Sequence, residues 1–375
     1  MKGLAIANKG LEDVTSLEIK ELIKSKTQIK ESCIIFEISK FEDLYTLCYK
    51  AQSVSRILFL LNFFEFKSLD EIKKKIKIDN LGDFLDKTTT FKVVCKRIGE
   101  HNFKSEDVSK SIGEILFGNL KKKVSLENPD LIFYVYICNN ACYFGIDFAG
   151  FDLSKRQYKI FSTPTSLKGT VAYSLLRIAG ITKNDKILDP FCGDGVILIE
   201  SALFLNNFPV NYFNKDKFAF LRFKFFGKPD IFFGKIDKKI IKNKKNAIYS
   251  FDSELRHIKA AQKNSKIAGI SKQINFSKTA VEWLDIKFKN NEIGRIITSP
   301  PQISKNIDIK EIEKLYNEFF YQADFILAKD GKIVLITREK DVLVKSADKR
   351  KFVLENEKEV WSGQQKLLVL CFVRK

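Results

Sequence analysis

The stretch Lys186-Ile187-Leu188-Asp189-Pro190-Phe191-Cys192-Gly193-Asp194-Gly195 reads as a short buried strand closed by Asp-Pro and a glycine-rich turn, with a helix beginning near Val196. Glycines let backbone N–H groups approach a ligand closely, and the first turn of a helix has donors without intrahelical partners. Gly193 and Gly195 alone are a weak signal. The next elements of the chain sharpen it: a helix over Leu198–Leu205, then a second strand, Ala247–Phe251, ending at Asp252. An acidic residue at that point of a doubly wound sheet binds ribose hydroxyls. A further strand, Arg295–Ser299, runs into Pro300-Pro301-Gln302. These three segments predict an α/β fold with a nucleotide-type cofactor site.

Working outward, 375 residues with 45% hydrophobic content suffice for two or three domains with real cores. The formal charge of +19 points to a polyanionic partner, nucleic acid before a membrane. A generally basic solvated surface is the competing reading. No apolar run reaches the roughly 18 residues of a spanning helix, and no cleavable signal is evident at the start. The seven cysteines are odd in number and lack C-x-x-C spacing, so they read as reduced thiols of a cytoplasmic protein. With only His101 and His257, a metal site or a histidine-based triad has little material, and none is predicted.

The N-terminal half alternates short strands (Leu4–Asn8, Cys33–Ile38, Ile57–Phe66) with helices (Val14–Lys24, Phe41–Cys48), as a small α+β unit would. Beyond them come a lysine-rich helix over Leu69–Ile76, a strand over Thr90–Lys96 and a helix over Ser105–Phe117. Two strands, Leu131–Cys138 and Ala141–Asp147, flank the hairpin signal Asn139-Asn140. From Thr165 strands alternate with helices, which predicts a parallel sheet covered on both faces. Near the end, a helix over Ile309–Leu327, a turn at Lys329-Asp330-Gly331, a strand over Lys332–Thr337 and an edge hairpin of Phe352–Leu354 with Lys366–Val373 are expected. The insert 206–246 interleaves phenylalanines with Lys215, Lys217, Arg222, Lys224, Lys228 and Lys235. Such residues can stack bases and neutralise phosphates, but placement of the rings in a core is the stronger reading.

Five segments, in order, resemble the THUMP-containing RNA methyltransferases that act on the exocyclic N2 of guanosine in tRNA. They are Gly10-Leu11-Glu12-Asp13-Val14 with Glu18-Ile19, Phe91–Phe103, Val124–Asp130, Asp147–Tyr158 and Leu167–Gly180. The resemblance implies an N-terminal ferredoxin-like domain over 1–66, a THUMP RNA-binding domain over 67–148, a linker over 149–164 and a Rossmann-like class I methyltransferase domain over 165–375. It implies S-adenosylmethionine as cofactor and tRNA as partner, with no membrane or metal, for a monomer in the cytoplasm. A dehydrogenase is the competing reading of a glycine-rich β-α-β unit, but the turn is D-P-x-C-G-x-G and not G-x-G-x-x-G.

By similarity, Asp189, Cys192, Gly193 and Gly195 border the methionine part of the cofactor, Phe191 is also expected to bind the cofactor, and Asp252 takes its ribose hydroxyls. Ser253 and Glu254 come directly after Asp252 at the same edge, and Asn264 matches an asparagine of the family's next helix. Ala280 stands where the family has an aspartate that reads the adenine amine, with Glu282 as its nearby replacement. The catalytic tetrapeptide is Ser299-Pro300-Pro301-Gln302, where the family has Asn or Asp, two prolines and an aromatic. In the family pattern a side-chain oxygen and a backbone carbonyl accept the two amine N–H bonds, and the ring stacks on the flipped base. Serine is a shorter, weaker acceptor, and loss of the ring costs about 1–3 kcal/mol, roughly 5- to 150-fold in rate. Lys96, Arg97, Lys155 and Arg156 are expected on phosphates.

Three readings stay open at this point. The first is an active enzyme forming N2-methylguanosine, at acceptor-stem position 6 in preference to the D-arm. The second is a catalytically weak or silent RNA-binding homologue. The third is a methyltransferase with a different target base or a ribosomal RNA substrate.

Overall fold

Runs rich in Ile, Val, Phe and Tyr build the first sheet. In this computed structural model, which describes residues 1–78, 81, 84–86, 88–163, 166–223, 225–241, 247–303 and 308–375, eight strands join. They are β1 (Lys2–Ile6), β2 (Thr27–Lys30), β3 (Cys33–Glu37), β4 (Arg56–Glu65), β5 (Thr90–Ile98), β6 (Lys123–Val124), β7 (Leu131–Cys138) and β8 (Ala141–Asp147). Their order is β2-β3-β1-β4-β8-β7-β5-β6. β4 pairs with both β1 and β8, so one sheet runs through the residues expected to form the first two domains. The β7–β8 hairpin turns at Asn139, whose φ of +50° is the left-handed conformation that Asn tolerates. Gly145 of β8 has no alternative: a Cβ there would lie 2.3 Å from the Phe59 carbonyl oxygen.

The chain divides into two units, Met1–Ala7 with Thr15–Leu153 and Asn211–Lys238, and Asn8–Val14 with Ser154–Val210 and Lys239–Lys375. Most of the aromatic insert therefore completes the first unit. Phe218, Phe220, Phe223 and Phe233 are buried with Tyr45, Tyr49 and Phe148 in its core. Lys215 pairs with Asp237 and lies 4.1 Å from the Tyr212 ring, and Arg222 donates to the Pro129 carbonyl. The core reading of the insert thus accounts for these rings; Lys224 lies outside the described residues.

The second sheet contains β9 (Ile187–Asp189), β10 (Ile248–Asp252), β11 (Ile274–Lys278), β12 (Ile293–Thr298), β13 (Leu327–Thr337), β14 (Phe352–Ser362) and β15 (Gln365–Arg374). The order is β11-β10-β9-β12-β13-β15-β14, parallel through β13, with an antiparallel edge hairpin. Neighbouring residues alternate between two apolar layers. Ile187, Ile297, Val334 and Ile336 face the helices Gly169–Ala179 and Val196–Leu205, while Leu188, Ile296, Ile333 and Leu335 face the helix Ile309–Ile326. That period of two, apolar on both faces, is what a covered parallel sheet requires.

One expectation needs correction. No separate turn forms at Lys329-Asp330-Gly331: pairing passes from Ile293–Leu327 to Arg295–Lys332, so these residues form a bulge within β13. The segment 149–164, expected as a linker, contains the break between the units at Leu153–Ser154, and Ala149, Leu153, Arg156 and Tyr158 within it are buried.

Candidate active site

β9 lies between β10 and β12, where the winding direction of the parallel sheet reverses, and a crevice opens there beyond the carboxyl ends of the strands. Asp189 ends β9, Asp252 ends β10 and Ser299 comes directly after β12. A cleft at this edge is lined by Thr163, Ser166, Asp189, Phe191, Gly193 and Ser299, among others.

The glycine turn is held by Asp252. Its Oδ2 accepts the Gly193 amide at 3.0 Å, and its Oδ1 accepts the Glu254 amide at 2.9 Å and His257 Nδ1 at 3.0 Å. A carboxylate only accepts, so His257 donates through Nδ1. Gly193 (φ +53°) and Gly195 (φ +80°) are both left-handed, and a Cβ on Gly195 would lie 2.7 Å from that of Ala261. Gly195 therefore lets the helix Leu255–Ile267 close on the turn.

Asn264 of that helix is fully buried and uses its whole amide. Nδ2 donates to the carbonyls of Phe161 (2.9 Å) and Asp194 (3.0 Å), and Oδ1 accepts the Phe161 amide at 3.1 Å. It is a latch between the turn and the segment leading to the cleft.

Three buried carboxyls converge here. Asp189 is 1% exposed, and its Oδ1 accepts Thr298 Oγ1 at 2.6 Å and the Phe191 amide at 3.1 Å. Burial outweighs those bonds and, with the nearby Asp252 and Asp194 charges, pushes its pKa up to about 7. Asp194, which accepts Ser166 Oγ, is also raised by burial. Burial that raises Asp189 and Asp194 in this way favours a ligand bearing positive charge. A sulfonium and an ammonium group fit it, and so does a ribose, since Asp252 Oδ2 has an acceptor site left.

Ser299 is partly buried at the end of β12, and its hydroxyl has no partner among the described residues. The loop beyond it is anchored from two sides. Buried Tyr316 donates to the Pro301 carbonyl at 2.6 Å, and Gln302 Oε1 accepts both the Arg338 amide (3.2 Å) and Arg338 Nε (2.9 Å).

Residues 156–367 match the RMKL-like methyltransferase domain, and residues 66–147 match the THUMP domain. The chain belongs to the RMKL-like methyltransferase family. It is 29% identical to a tRNA (guanine(6)-N2)-methyltransferase of Methanocaldococcus jannaschii, over 94% of this chain and 95% of that one. A protein of the same description from Archaeoglobus fulgidus is 26% identical over 97% and 90%. A putative methyltransferase complexed with SAH shares the fold, with a TM-score of 0.82 at 20% identity over 100% of this chain and 98% of that one.

Within this RMKL-like methyltransferase the expected site residues fall into three groups. Asp189, Phe191, Cys192, Gly193, Gly195, Asp252 and Ser299–Gln302 gather at the carboxyl edge of the second sheet. Ser253 and Glu254 are exposed just beyond β10, Glu254 beside Arg256 at 3.8 Å, while Ala280 and exposed Glu282 lie beyond β11. Among the cations, Lys155 and Lys96 are exposed, and Arg97 is held by His101 Nδ1 at 3.1 Å and lies over Phe103. Arg156 is a correction: its side chain is 1% exposed and ion-paired with Glu200 at 2.7 Å, so it has no face for a phosphate. Tyr158 donates to the same carboxylate at 2.6 Å.

Sequence reasoning misses His257, Thr298, Ser166, Tyr316 and Arg338. Each acts through a partner brought to it by the fold; the one legible signal is the position of His257 on the first turn after Asp252. No helix among the described residues is long and apolar enough to cross a membrane.

Proposed function

We propose that this chain transfers a methyl group from S-adenosylmethionine to the exocyclic N2 of a guanosine in tRNA, as a monomer in the cytoplasm, with position 6 of the acceptor stem as target. The observation that carries this reading is the Ser299 hydroxyl, without a partner among the described residues and set by β12 at the same cleft as Asp189 and Gly193. The names and near-full coverage of the two tRNA methyltransferase relatives support the substrate and the position.

Asp252 Oδ2 would accept a ribose hydroxyl beside its bond to Gly193, and Asp189 and Asp194 would face the cofactor's cationic groups. When bound, the cofactor supplies an electrophilic methyl. Ser299 Oγ and the Pro300 carbonyl would accept the two amine N–H bonds and turn the nitrogen lone pair toward that methyl. The Pro301 carbonyl does not compete, because Tyr316 already holds it. Lys96, Arg97 and Lys155 would bind phosphates, which positions an RNA without reading its sequence.

The test is transfer of labelled methyl to tRNA from a strain lacking the protein, with nuclease digestion and nucleoside mass spectrometry of the product. Labelled N2-methylguanosine is expected. Bound tRNA without label would favour a silent RNA-binding homologue, and another labelled base a changed target. Ser299→Ala should slow the single-turnover rate and leave cofactor and tRNA affinity near their starting values; an unchanged rate would remove Ser299 from the chemistry.

A further inference from the structure

Gln302 stands where a ring would stack on the target base, yet its side-chain oxygen is turned to Arg338. That one oxygen accepts the Arg338 amide at 3.2 Å and its Nε–H at 2.9 Å, fixing the residue at both its backbone and its guanidinium. Arg338 comes directly after β13, next to the strand that carries Ser299, so both residues leave the sheet at the same edge. The loop beneath it is tight, with Thr337 Oγ1 accepting the Glu339 amide at 2.9 Å. Arg338 is exposed and, among the described residues, makes no ion pair and no other side-chain bond.

A guanidinium held by its Nε, with no carboxylate partner, is costly to immobilise for structure alone, since a long side chain loses rotamer freedom without a buried contact in return. The same arrangement is well suited to a ligand. The guanidinium is planar, presents a face for stacking on a nucleobase and keeps its terminal N–H groups without a partner among the described residues.

We propose that Arg338 is the stacking surface for the target base, with Gln302 as the positioning residue that holds its plane. The missing ring is thereby replaced by an arginine on the neighbouring loop. This inference rests on the reading of the chain as a tRNA guanosine methyltransferase and names a substrate contact within it.

The experiment measures single-turnover methylation of tRNA together with separate tRNA and S-adenosylmethionine affinities, in the full chain. Arg338→Ala should lower the rate about 5- to 150-fold, the range for loss of one stacked base, with cofactor affinity unchanged. Arg338→Lys keeps the charge and loses the plane, so it should fall nearly as far. Gln302→Ala should lower the rate while Gln302→Glu, which keeps an acceptor for Nε, should retain it. Arg338→Ala combined with Gln302→Tyr should recover much of the loss, because a ring then supplies the surface directly.

An Arg338→Lys variant as active as the parent protein would overturn the proposal and make Arg338 a phosphate contact. So would an Arg338→Ala variant with unchanged rate. If the parent protein itself labels no guanosine, the substrate reading fails and this inference fails with it; if the parent labels guanosine and the variants do not differ, only the inference is lost.

Discussion

Asp189 is a carboxyl under opposing pressures. Burial raises it to about 7, while Thr298 and the Phe191 amide favour its charged form. An acid raised on folding contributes stability that is complete below its unfolded value and lost as pH rises through the folded one, here between roughly pH 4 and 7. A cationic ligand selects the ionised form, so binding below pH 7 must release a proton. S-adenosylmethionine affinity is therefore expected to fall by up to about tenfold per unit as pH drops below 7. Asp189→Asn should flatten that dependence; calorimetry in buffers of different ionisation enthalpy checks it. Asp252 makes a different prediction, because its oxygens hold two backbone amides and His257. Asp252→Ala would leave the Gly193 amide without its acceptor and distort the turn, weakening cofactor binding by about 1–3 kcal/mol, or some 5- to 150-fold in dissociation constant. An unaltered dissociation constant would dismiss Asp252 as a cofactor ligand.

At the scale of elements, the helix Leu255–Ile267 carries the site as much as the glycine turn does. Its Asn264 side chain makes three bonds to two separate loops, the one to the Asp194 carbonyl fully buried, and Asn264→Ala would orphan the Phe161 amide and two carbonyls. A loss of about 2–4 kcal/mol in stability is expected, with faster proteolysis at 158–163 than elsewhere; chemical denaturation and limited digestion read both. Elements differ in how much of them a sequence conveys. The strand β9 and the edge hairpin of β14 and β15 are legible from local apolar spacing and turn residues. The length of β14 is not: apolar spacing marks only Phe352–Leu354, whereas pairing with β15 extends the strand through Glu355–Glu359, whose charges have no strand signature. The short polar β2 escapes for the same reason, since TQIK has no apolar alternation and exists because β3 offers it an edge. In the site, Asp189, Asp252 and the Ser-Pro-Pro turn are legible because each ends a strand. Arg156 is misplaced by sequence because Glu200, its partner 44 residues away, sits on an apolar helix where nothing local announces an ion pair.

At the scale of the whole molecule, the phenylalanine-rich insert decides how charge and aromatic content should be understood. Its rings lie between a strand and a helix of the methyltransferase region in sequence, yet 211–238 completes the core of the first unit. Phe220 is fully buried, with ring centroids 4.7 Å from Phe218, 4.7 Å from Tyr45 and 5.0 Å from Phe226. Truncating such a ring removes its transfer free energy and leaves a cavity, about 3–5 kcal/mol together, a large share of the stability of an ordinary domain. The damage should appear where Phe220 packs, as lost amide protection in the helix Phe41–Lys50, which carries Tyr45, and around Phe148, whose carbonyl bonds the Phe220 amide at 3.1 Å. Hydrogen exchange of Phe220→Ala is the measurement. If the ring instead stacked on RNA, the same substitution would lower tRNA affinity at every salt concentration while leaving that protection intact. Because the formal charge of +19 makes tRNA binding strongly salt-dependent in either case, the two outcomes separate only when exchange and binding are measured on the same variant.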